Sequence, residues 1–201
     1  MLKDLIYMTK SIDIYFDFIS PYSYLAHKKI KNFKVNKDIS FNYKPVFVGG
    51  LHNLQGIIAP AFIKHKLKHM INDCNLVAAK NSFEFTWNSK FPLNSLSIMR
   101  GYIFVNTDVK DLYLDTIFDA YWKNNLDISD EEIFKNLLKK CKINSSEFFD
   151  GIKDLKIKDK LKDNTQEAHD NEIFGTPSFV VNNKIFWGQD RLEFALEEYN
   201  K

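Results

Sequence analysis

The feature that most constrains this chain is the placement of its strand patterns, which stand near the two ends with a long helical stretch between them. Residues 11–18 alternate apolar side chains as a buried strand does, and residues 39–47 predict a second strand. The Gly49-Gly50 pair is predicted to break the chain after it. Residues 177–188 predict a hairpin with the turn "NNK" at residues 182–184. Because short strands are stable only within a shared sheet, we expect the chain to return to its first strands after the helical stretch.

Helical spacing of apolar residues fills residues 56–172, and segments such as "SDEEIFKNLLKKCKI" open with residues that suit a helix N-cap. The sequence therefore predicts an α/β core formed by residues 10–55 and 173–201, with residues 56–172 as an all-helical insertion. Alternation of strands and helices at both ends of the chain supports this division. The fold class that the outline favours is a thioredoxin-like core carrying a large helical insertion.

Length and composition indicate a single globular domain with such an insertion. The chain has 201 residues, of which 45% are hydrophobic and 27% are charged, and this suffices to bury a sizeable core. Its formal net charge of +2 is too small for a dedicated nucleic-acid-binding protein. No apolar run reaches the length of about 18 residues that a membrane span needs. We therefore expect neither a nucleic-acid partner nor a membrane.

The cysteines and the N-terminal residues predict a cytoplasmic protein. Cys74 and Cys141 form no local motif, which favours free thiols in a reducing compartment. The N-terminus lacks the apolar stretch and the small-residue cleavage site of a secretory leader. Met1 and Met8 both stay open as the natural start.

The corner between the first strand and the next helix carries the most informative residues. Ser20 suits the N-cap and Pro21 the first helical position, and the helix is predicted to run to about Phe33. A helix N-terminus offers unpaired N–H groups and about half a positive charge, which stabilise an anion nearby. A thioredoxin-like fold carries a Cys-x-x-Cys pair at this corner, whereas Ser20 and Ser23 stand here. A hydroxyl can cap the helix and also donate its proton to an anion, although a cap without any other role is the alternative.

Four stretches then stand in an order that is typical of one family: "YFDFISPYSYLA" (15–26), "FPLNSLSIMR" (91–100), "AYWKNNLDISDEE" (120–132) and "FGTPSFVVNNKIFWGQDRL" (174–192). In them the chain resembles the 2-hydroxychromene-2-carboxylate isomerase family, and the first and last stretches are the specific ones. That family lies with the kappa-class glutathione transferases in the DsbA-like branch of the thioredoxin fold. The resemblance implies glutathione as cofactor or cosubstrate, a small aromatic-derived carboxylate as substrate, and a homodimer.

The resemblance also implies that the reacting sulfur belongs to glutathione and that Ser20 is the catalytic residue that stabilises its thiolate. A free thiol has a pKa of about 8.5, and lowering it by about two units needs about 2.7 kcal/mol. A hydroxyl hydrogen bond to an anion supplies about 1.5–3 kcal/mol, and a helix N-terminus supplies about 0.3–2 kcal/mol. Because the two together suffice, a serine corner can support thiolate chemistry without a cysteine of its own.

Five further positions match the family's glutathione contacts. The resemblance implies a cis bond between Thr176 and Pro177, which exposes the backbone of Thr176 to the cysteinyl group. Gln189 and Asp190 are implied to hold the γ-glutamyl end, with Gln189 in place of a serine. Lys66 is implied to meet the glycine carboxylate. An ordinary trans turn, a capped helix and one more surface lysine are the alternatives that the residues alone leave open.

One departure from the pattern concerns glutathione affinity. Ile57 follows Gly56 at a position where the kappa-class pattern has asparagine, so that side-chain hydrogen bond is lost and the affinity is left open. A pocket for an aromatic substrate is predicted from five residues, Tyr22, Trp87, Asn88, Lys90 and Arg100. Lys90 or Arg100 is expected to meet the substrate carboxylate. Core packing and a loop are the alternative for the aromatic stretch 83–92.

One further motif, a pair of histidines, bears on whether the chain binds a metal ion. His65 and His69 have the i, i+4 spacing of two metal ligands, but no third ligand or glutamate base accompanies them, and no metal site is predicted.

The favoured function is a glutathione-dependent isomerase. A kappa-class-like glutathione transferase or peroxidase and a non-redox thioredoxin-like binding protein are the alternatives. A disulfide oxidoreductase is disfavoured, because Ser20 and Ser23 cannot cycle as a dithiol.

Overall fold

The computed structural model describes residues 10–32 and 39–201. Within them the chain forms one mixed four-stranded sheet in the order β2-β1-β3-β4. Its strands are β1 (Ser11–Phe16), β2 (Ser40–Pro45), β3 (Ser178–Val181) and β4 (Lys184–Trp187). β1 is parallel to β2 and antiparallel to β3, and β4 pairs antiparallel with β3. The return of the C-terminal hairpin to the first strands confirms that prediction.

The hairpin turn follows from its two asparagines. Asn182 and Asn183 have φ values of 49° and 59°, the left-handed conformation that asparagine tolerates better than most residues and that a two-residue hairpin turn requires. The predicted hairpin is therefore confirmed, but its turn consists of the two asparagines alone, because Lys184 is the first residue of β4 and pairs with Val181.

Nine α-helices accompany the sheet in the described residues. They are α1 (Pro21–Asn32), α2 (Val48–Leu54), α3 (Lys64–Lys80), α4 (Leu96–Phe104), α5 (Lys110–Trp122), α6 (Glu131–Lys140), α7 (Ser145–Gly151), α8 (Leu155–Asp170) and α9 (Leu192–Tyr199). No helix in residues 10–32 and 39–201 is both long and apolar enough to span a bilayer. Phe33, the predicted end of α1, and Met8, the alternative start, lie outside the described residues.

The expected break at Gly49 and Gly50 is wrong, because both residues lie inside α2. The first turn of α2 is held from outside the helix, since the N–H of Val48 donates to the Asp17 carboxylate at 2.9 Å. The N–H of Leu51 closes the turn on the Phe47 carbonyl at 2.9 Å. These fixed bonds outweigh the weak helix propensity of a glycine pair.

A cluster of buried aromatic rings joins the end of β1 to the helical stretch. The ring of Phe18 packs against that of Phe118 on α5, with centroids 4.8 Å apart, and against Phe16 at 5.4 Å. The indole N–H of Trp122 donates to the Phe18 carbonyl at 2.8 Å. Rings of this size supply most of the buried apolar area, so the helices of the stretch fix the strand end that leads into α1.

The last helix of the predicted insertion, α8, packs against the end of β2. The hydroxyl of Thr165 accepts from the Phe47 N–H at 3.0 Å, and the amide of Asn164 donates to the Pro45 carbonyl at 3.2 Å. The last helix of the stretch thus lies beside the sheet. The boundaries 56 and 172 stay a prediction.

Candidate active site

Ser20 lies between β1 and α1 as the N-cap that the sequence predicts. Its Oγ accepts from the Ser23 N–H at 3.2 Å, which satisfies one of the free donors of the first helical turn. The same hydroxyl donates to the Thr176 carbonyl at 2.9 Å. Ser20 is 8% exposed and lines a cavity. The hydroxyl therefore holds the corner and the hairpin segment together beside an open space.

The segment that receives this hydrogen bond has the predicted cis geometry. The Thr176-Pro177 bond is cis, which confirms that expectation. The hydroxyl of Thr176 is buried and has no hydrogen-bond partner in the described part of the chain. An unpaired buried hydroxyl is rare, and its position beside Ser20 leaves a polar atom available to a bound molecule.

Asp17 is a site residue that no motif in the sequence predicted. Its carboxylate accepts from the Ile19 N–H at 3.1 Å, from the Val48 N–H at 2.9 Å and from the Ser95 hydroxyl at 2.9 Å. All three donors belong to cavity-lining residues. Although these hydrogen bonds act to lower it, complete burial raises the pKa of Asp17 to about 6. The only signal in the sequence was a carboxylate within an apolar strand end.

The cavity has a volume of about 990 Å³. Its wall is formed by the Ser20 corner, the start of α2, the loop before α3 with the first turns of that helix, residues 91–95, residues 174–176, and Trp187. This volume lies at the upper end of the range of small-molecule sites, and a wall that is mostly apolar with a few polar groups is typical of them.

Four of the predicted site residues meet at this cavity. Ser20, Tyr22, Lys66 and Thr176 all line it. Tyr22 is half-buried, and burial raises the pKa of its phenol well above the ordinary value, so the group stays protonated. Lys66 is exposed on the first turns of α3. Ile57, the residue that departs from the kappa-class pattern, also faces the cavity.

The other predicted glutathione contacts lie beside the cavity rather than in its wall. Gln189 is 7% exposed, and its side-chain oxygen is buried without a partner among the described residues. Its loop is tied to Pro177, whose carbonyl accepts from the Gly188 N–H at 2.9 Å. Asp190 is exposed and pairs with Arg191 at 3.2 Å.

Two of the residues predicted for the substrate pocket belong to the protein core. The ring of Trp87 packs against Phe91 at 4.9 Å and Trp122 at 5.5 Å, and it does not line the cavity. Asn88 is 1% exposed, and its amide donates to two backbone carbonyls. Both side chains stabilise the segment that leads to the cavity, which corrects their assignment to its wall.

The two cations expected to meet a substrate carboxylate are also elsewhere. Lys90 forms an ion pair with Asp127 at 3.5 Å on an exposed surface. Arg100 lies on α4 and does not line the cavity. Sequence spacing alone could not reveal this, because it does not fix which face of a segment turns toward the open space.

Three histidines, His52, His65 and His69, line the cavity instead. The i, i+4 spacing had drawn attention to His65 and His69 as possible metal ligands, whereas no motif pointed to His52. Burial lowers the pKa of His52, whose Nδ1 is buried without a partner in residues 10–32 and 39–201. Within those residues no three His, Cys, Asp or Glu side chains are grouped as a metal ion would require.

Both cysteines are buried free thiols. Cys74 lies near Tyr22, and burial raises the pKa of its thiol to about 12. A thiol with so high a pKa is not a nucleophile at neutral pH. Any sulfur chemistry at the corner therefore depends on a thiol from outside the chain.

The chain matches known proteins along most of its length. The family described as DSBA-like thioredoxin domain matches residues 11–200. A 2-hydroxychromene-2-carboxylate isomerase of Sphingobium xenophagum is 26% identical over 194 residues, which are 96% of this chain and 98% of that protein. A glutathione S-transferase kappa 1 of Caenorhabditis elegans is 25% identical over 203 residues, covering 92% of this chain and 89% of that protein.

Among solved structures, a 2-hydroxychromene-2-carboxylate isomerase superposes with a TM-score of 0.83 at 22% identity, covering 92% of both chains. The likeness confirms the thioredoxin-like core with its helices, and the isomerase and kappa-class resemblance that the motifs suggested is confirmed as well. The chain belongs to the family of DSBA-like thioredoxin domains.

Proposed function

We propose that this protein is a glutathione-dependent isomerase in which Ser20 stabilises the thiolate of bound glutathione. The observation that carries the proposal is the Ser20 hydroxyl, which caps α1, faces the cavity and bonds to the Thr176 carbonyl at 2.9 Å. Rotation about the Cα–Cβ or C–O bond can redirect its proton from that carbonyl to a sulfur anion. The isomerase and kappa-class names of the relatives support an enzyme of this general type.

The residues around the corner suit a glutathione molecule as cosubstrate. The unpaired hydroxyl of Thr176 and the unpaired side-chain oxygen of Gln189 are buried polar atoms that its peptide N–H groups and γ-glutamyl ammonium can satisfy. Lys66 supplies a positive charge for the glycine carboxylate. Asp190, close to Gln189 at the entrance to α9, supplies a negative charge for the ammonium group.

Glutathione supplies a sulfur that can add to an electrophilic carbon and leave again, so that a bond of the substrate can rotate between the two steps. The protein's part is to hold the sulfur anionic and aimed. The Ser20 hydroxyl and the N-terminus of α1 act on the charge, and the Asp17 carboxylate keeps three wall segments in register. Glutathione returns unchanged, so the reaction needs no redox partner.

A transferase is the second candidate, because kappa-class transferases are among the relatives. The same thiolate would then attack a carbon that carries a leaving group, and glutathione would be consumed. A chlorinated nitroarene separates the two candidates, since only a transferase releases chloride from it. A non-redox binding protein would show no glutathione affinity.

The test is a calorimetric titration of reduced glutathione into the wild type, Ser20→Ala and Ser23→Ala, with a difference spectrum at about 240 nm for the thiolate. We expect the wild type and Ser23→Ala to bind and to show the thiolate band. Ser20→Ala should lose the band. Ser23 is the matched control because its hydroxyl lies one turn away, buried and without a partner in the described residues. No binding up to millimolar glutathione, or a band that survives in Ser20→Ala, would reject the proposal.

A further inference from the structure

A second cavity, separate from the one at Ser20, has a volume of about 210 Å³. Its wall is formed where the ends of β1 and β2 meet the last turn of α4, the first residue of α5 and one face of α8. No described residue lines both cavities. Because drug-sized ligands occupy sites of about 300 Å³ or more, this space suits a small ion or one group of a metabolite.

Three lysines from three different elements line the second cavity. Lys44 belongs to β2, Lys110 begins α5 and Lys160 lies on α8. Lys44 pairs with Asp13 at 3.7 Å, whereas Lys110 and Lys160 form no ion pair with any residue that the structure describes. Glu167 is the one carboxylate among the described lining residues. Three cations against one carboxylate make the wall positive, which attracts an anion.

The hydroxyl of Tyr102 is an unused donor in this wall. The residue is only 6% exposed, and its hydroxyl forms no hydrogen bond within residues 10–32 and 39–201. Burial, and to a smaller extent the charge of Asp111, raises the pKa of this phenol well above its ordinary value, so the group keeps its proton. The Lys110 ammonium lies 5.3 Å from the centre of the Tyr102 ring, a cation–π contact. A hydroxyl donor and a cation are therefore presented side by side.

The two other tyrosines of the wall differ in what they can donate. Tyr15 accepts from the side chain of Asn171, so its own proton is free. The hydroxyl of Tyr43 is 2.7 Å from Nδ1 of His27, whose Nε2 is 2.7 Å from the Asp115 carboxylate. Since Nε2 donates to the carboxylate, Nδ1 of a neutral imidazole accepts, and the proton of Tyr43 is used there. Of these two tyrosines only Tyr15 keeps a donor for the cavity.

From these observations we propose that the second cavity binds a phosphoryl group with two negative charges, held by Lys110, Lys160 and the Tyr102 hydroxyl. Two negative charges match the difference between the three lysines and the one carboxylate of the wall. Tetrahedral phosphate oxygens accept from ammonium and hydroxyl donors on several sides at once. Inorganic phosphate and the phosphate ester of a small metabolite both present this group. The inference is independent of the glutathione proposal, because the two cavities share no described residue.

The test is a calorimetric titration of inorganic phosphate, glycerol 3-phosphate and acetate into the wild type, in a phosphate-free buffer at pH about 8. A phosphate ester carries nearly two negative charges at this pH and has three strong acceptor oxygens. We expect acetate, with one charge and two acceptor oxygens, to bind roughly tenfold more weakly than either phosphate. Tighter binding of the ester or of the free ion supports the site in either case and identifies the source. No phosphate binding up to about 10 mM, or acetate binding of equal strength, overturns the proposal.

Two variants each remove one proposed contact. Tyr102→Phe keeps the ring and should weaken phosphate binding by roughly tenfold, as expected for a hydrogen bond to a charged acceptor. Lys110→Gln should weaken it by up to about fivefold. Lys162→Gln, exposed on α8 and outside the cavity wall, is the matched control and should bind as the wild type does. Thermal unfolding checks that each variant is folded.

Glu167→Gln should give a change of the opposite sign, because it removes the carboxylate that repels an anion. Phosphate binding should become roughly threefold tighter, whereas Asp163→Asn, an exposed carboxylate on the same helix outside the wall, should leave it unchanged. Unaltered affinity in Tyr102→Phe and Lys110→Gln, or no tightening in Glu167→Gln, overturns the proposal. A loss of phosphate affinity in Lys66→Gln would assign the ion to the cavity at Ser20 and would overturn it as well.

Discussion

The cavity has two sides of opposite character, and the contrast separates reactivity from selectivity. At the corner, the polar side chains of Asp17 and Ser20 each make at least two hydrogen bonds of 3.2 Å or less. Elsewhere the cavity wall, which includes Ile57, Phe62 and Leu93, offers apolar surface.

This difference indicates that the corner can hold one reacting atom in place, whereas the apolar wall can accept substrates of different shapes. Hydrogen bonds hold groups at defined distances and angles, whereas apolar contact is non-directional and follows the shape of what is bound. We therefore expect substitutions at the corner to change rate constants and substitutions in the wall to change preference among substrates.

The largest expected effect is at Ser20. Ser20→Ala should lower kcat by roughly 100- to 1,000-fold, because one donor to a developing or resting anion is removed. Steady-state rates with saturating glutathione provide the measurement. Ser20→Thr keeps a hydroxyl and should recover part of the rate, and thermal unfolding checks that the lost helix cap has not unfolded the protein. If kcat were unaltered in Ser20→Ala, the corner would not set the rate, and the proposed division between a reactive corner and a selective wall would be wrong.

The next prediction concerns Asp17 and the pH dependence of the free energy of unfolding. Because its pKa is raised to about 6 in the folded protein from an ordinary 3.8, the unfolded chain loses this proton first as the pH rises. The stability associated with the protonated carboxyl is therefore present below pH about 4 and lost by pH about 6, an effect of about 3 kcal/mol. Urea unfolding of the wild type and Asp17→Asn at several pH values measures it.

The expected result for Asp17→Asn is an unfolding free energy that lacks this fall between pH about 4 and about 6. Asp163→Asn, an exposed carboxylate on α8, is the matched control and should keep the wild-type profile. Parallel profiles for the wild type and Asp17→Asn would show that Asp17 keeps an ordinary pKa, and the corner would then be less tightly closed to water than its hydrogen bonds indicate.

A smaller effect is expected at Lys66, the one described cation of the wall. Lys66→Gln should weaken glutathione binding by up to about fivefold, the upper end of the range for a charge pair at an exposed side chain. Calorimetry at low and high salt measures the dissociation constant, and the loss of affinity in the variant should become smaller as the salt concentration rises. Lys68→Gln, on the same helix but outside the cavity wall, should bind as the wild type does. Equal losses in both variants would point to general charge rather than a contact.

The smallest effect is at Ile57. Ile57→Asn restores the amide of the kappa-class pattern and should tighten glutathione binding by about threefold, as expected for one neutral hydrogen bond. It should also lower the rate with apolar acceptors, because an amide replaces part of the apolar wall. Isothermal titration and acceptor kinetics measure the two changes. Weaker glutathione binding in Ile57→Asn would indicate that this part of the wall does not face the tripeptide.

Much of the fold could be predicted from short stretches of sequence. The alternation of β1, the cap at Ser20 and the Asn182-Asn183 turn each depend on residues within a few positions of one another. The break expected at Gly49 and Gly50 is wrong because α2 depends on a contact between residues that are far apart in the sequence. The bond that fixes α2 comes from Asp17, 31 positions away, and local propensity contains no information about it.

What the sequence by itself determined is the sheet with its helices and the serine at the corner, because caps, turns and apolar alternation act over short distances along the chain. Only the tertiary structure decided which side chains meet around the cavity. Ser20 and Thr176 are 156 positions apart, His52 turns toward the open space, and Trp87 and Asn88 turn into the core. The physical reason is that the orientation of a side chain is set by the packing of distant elements around it.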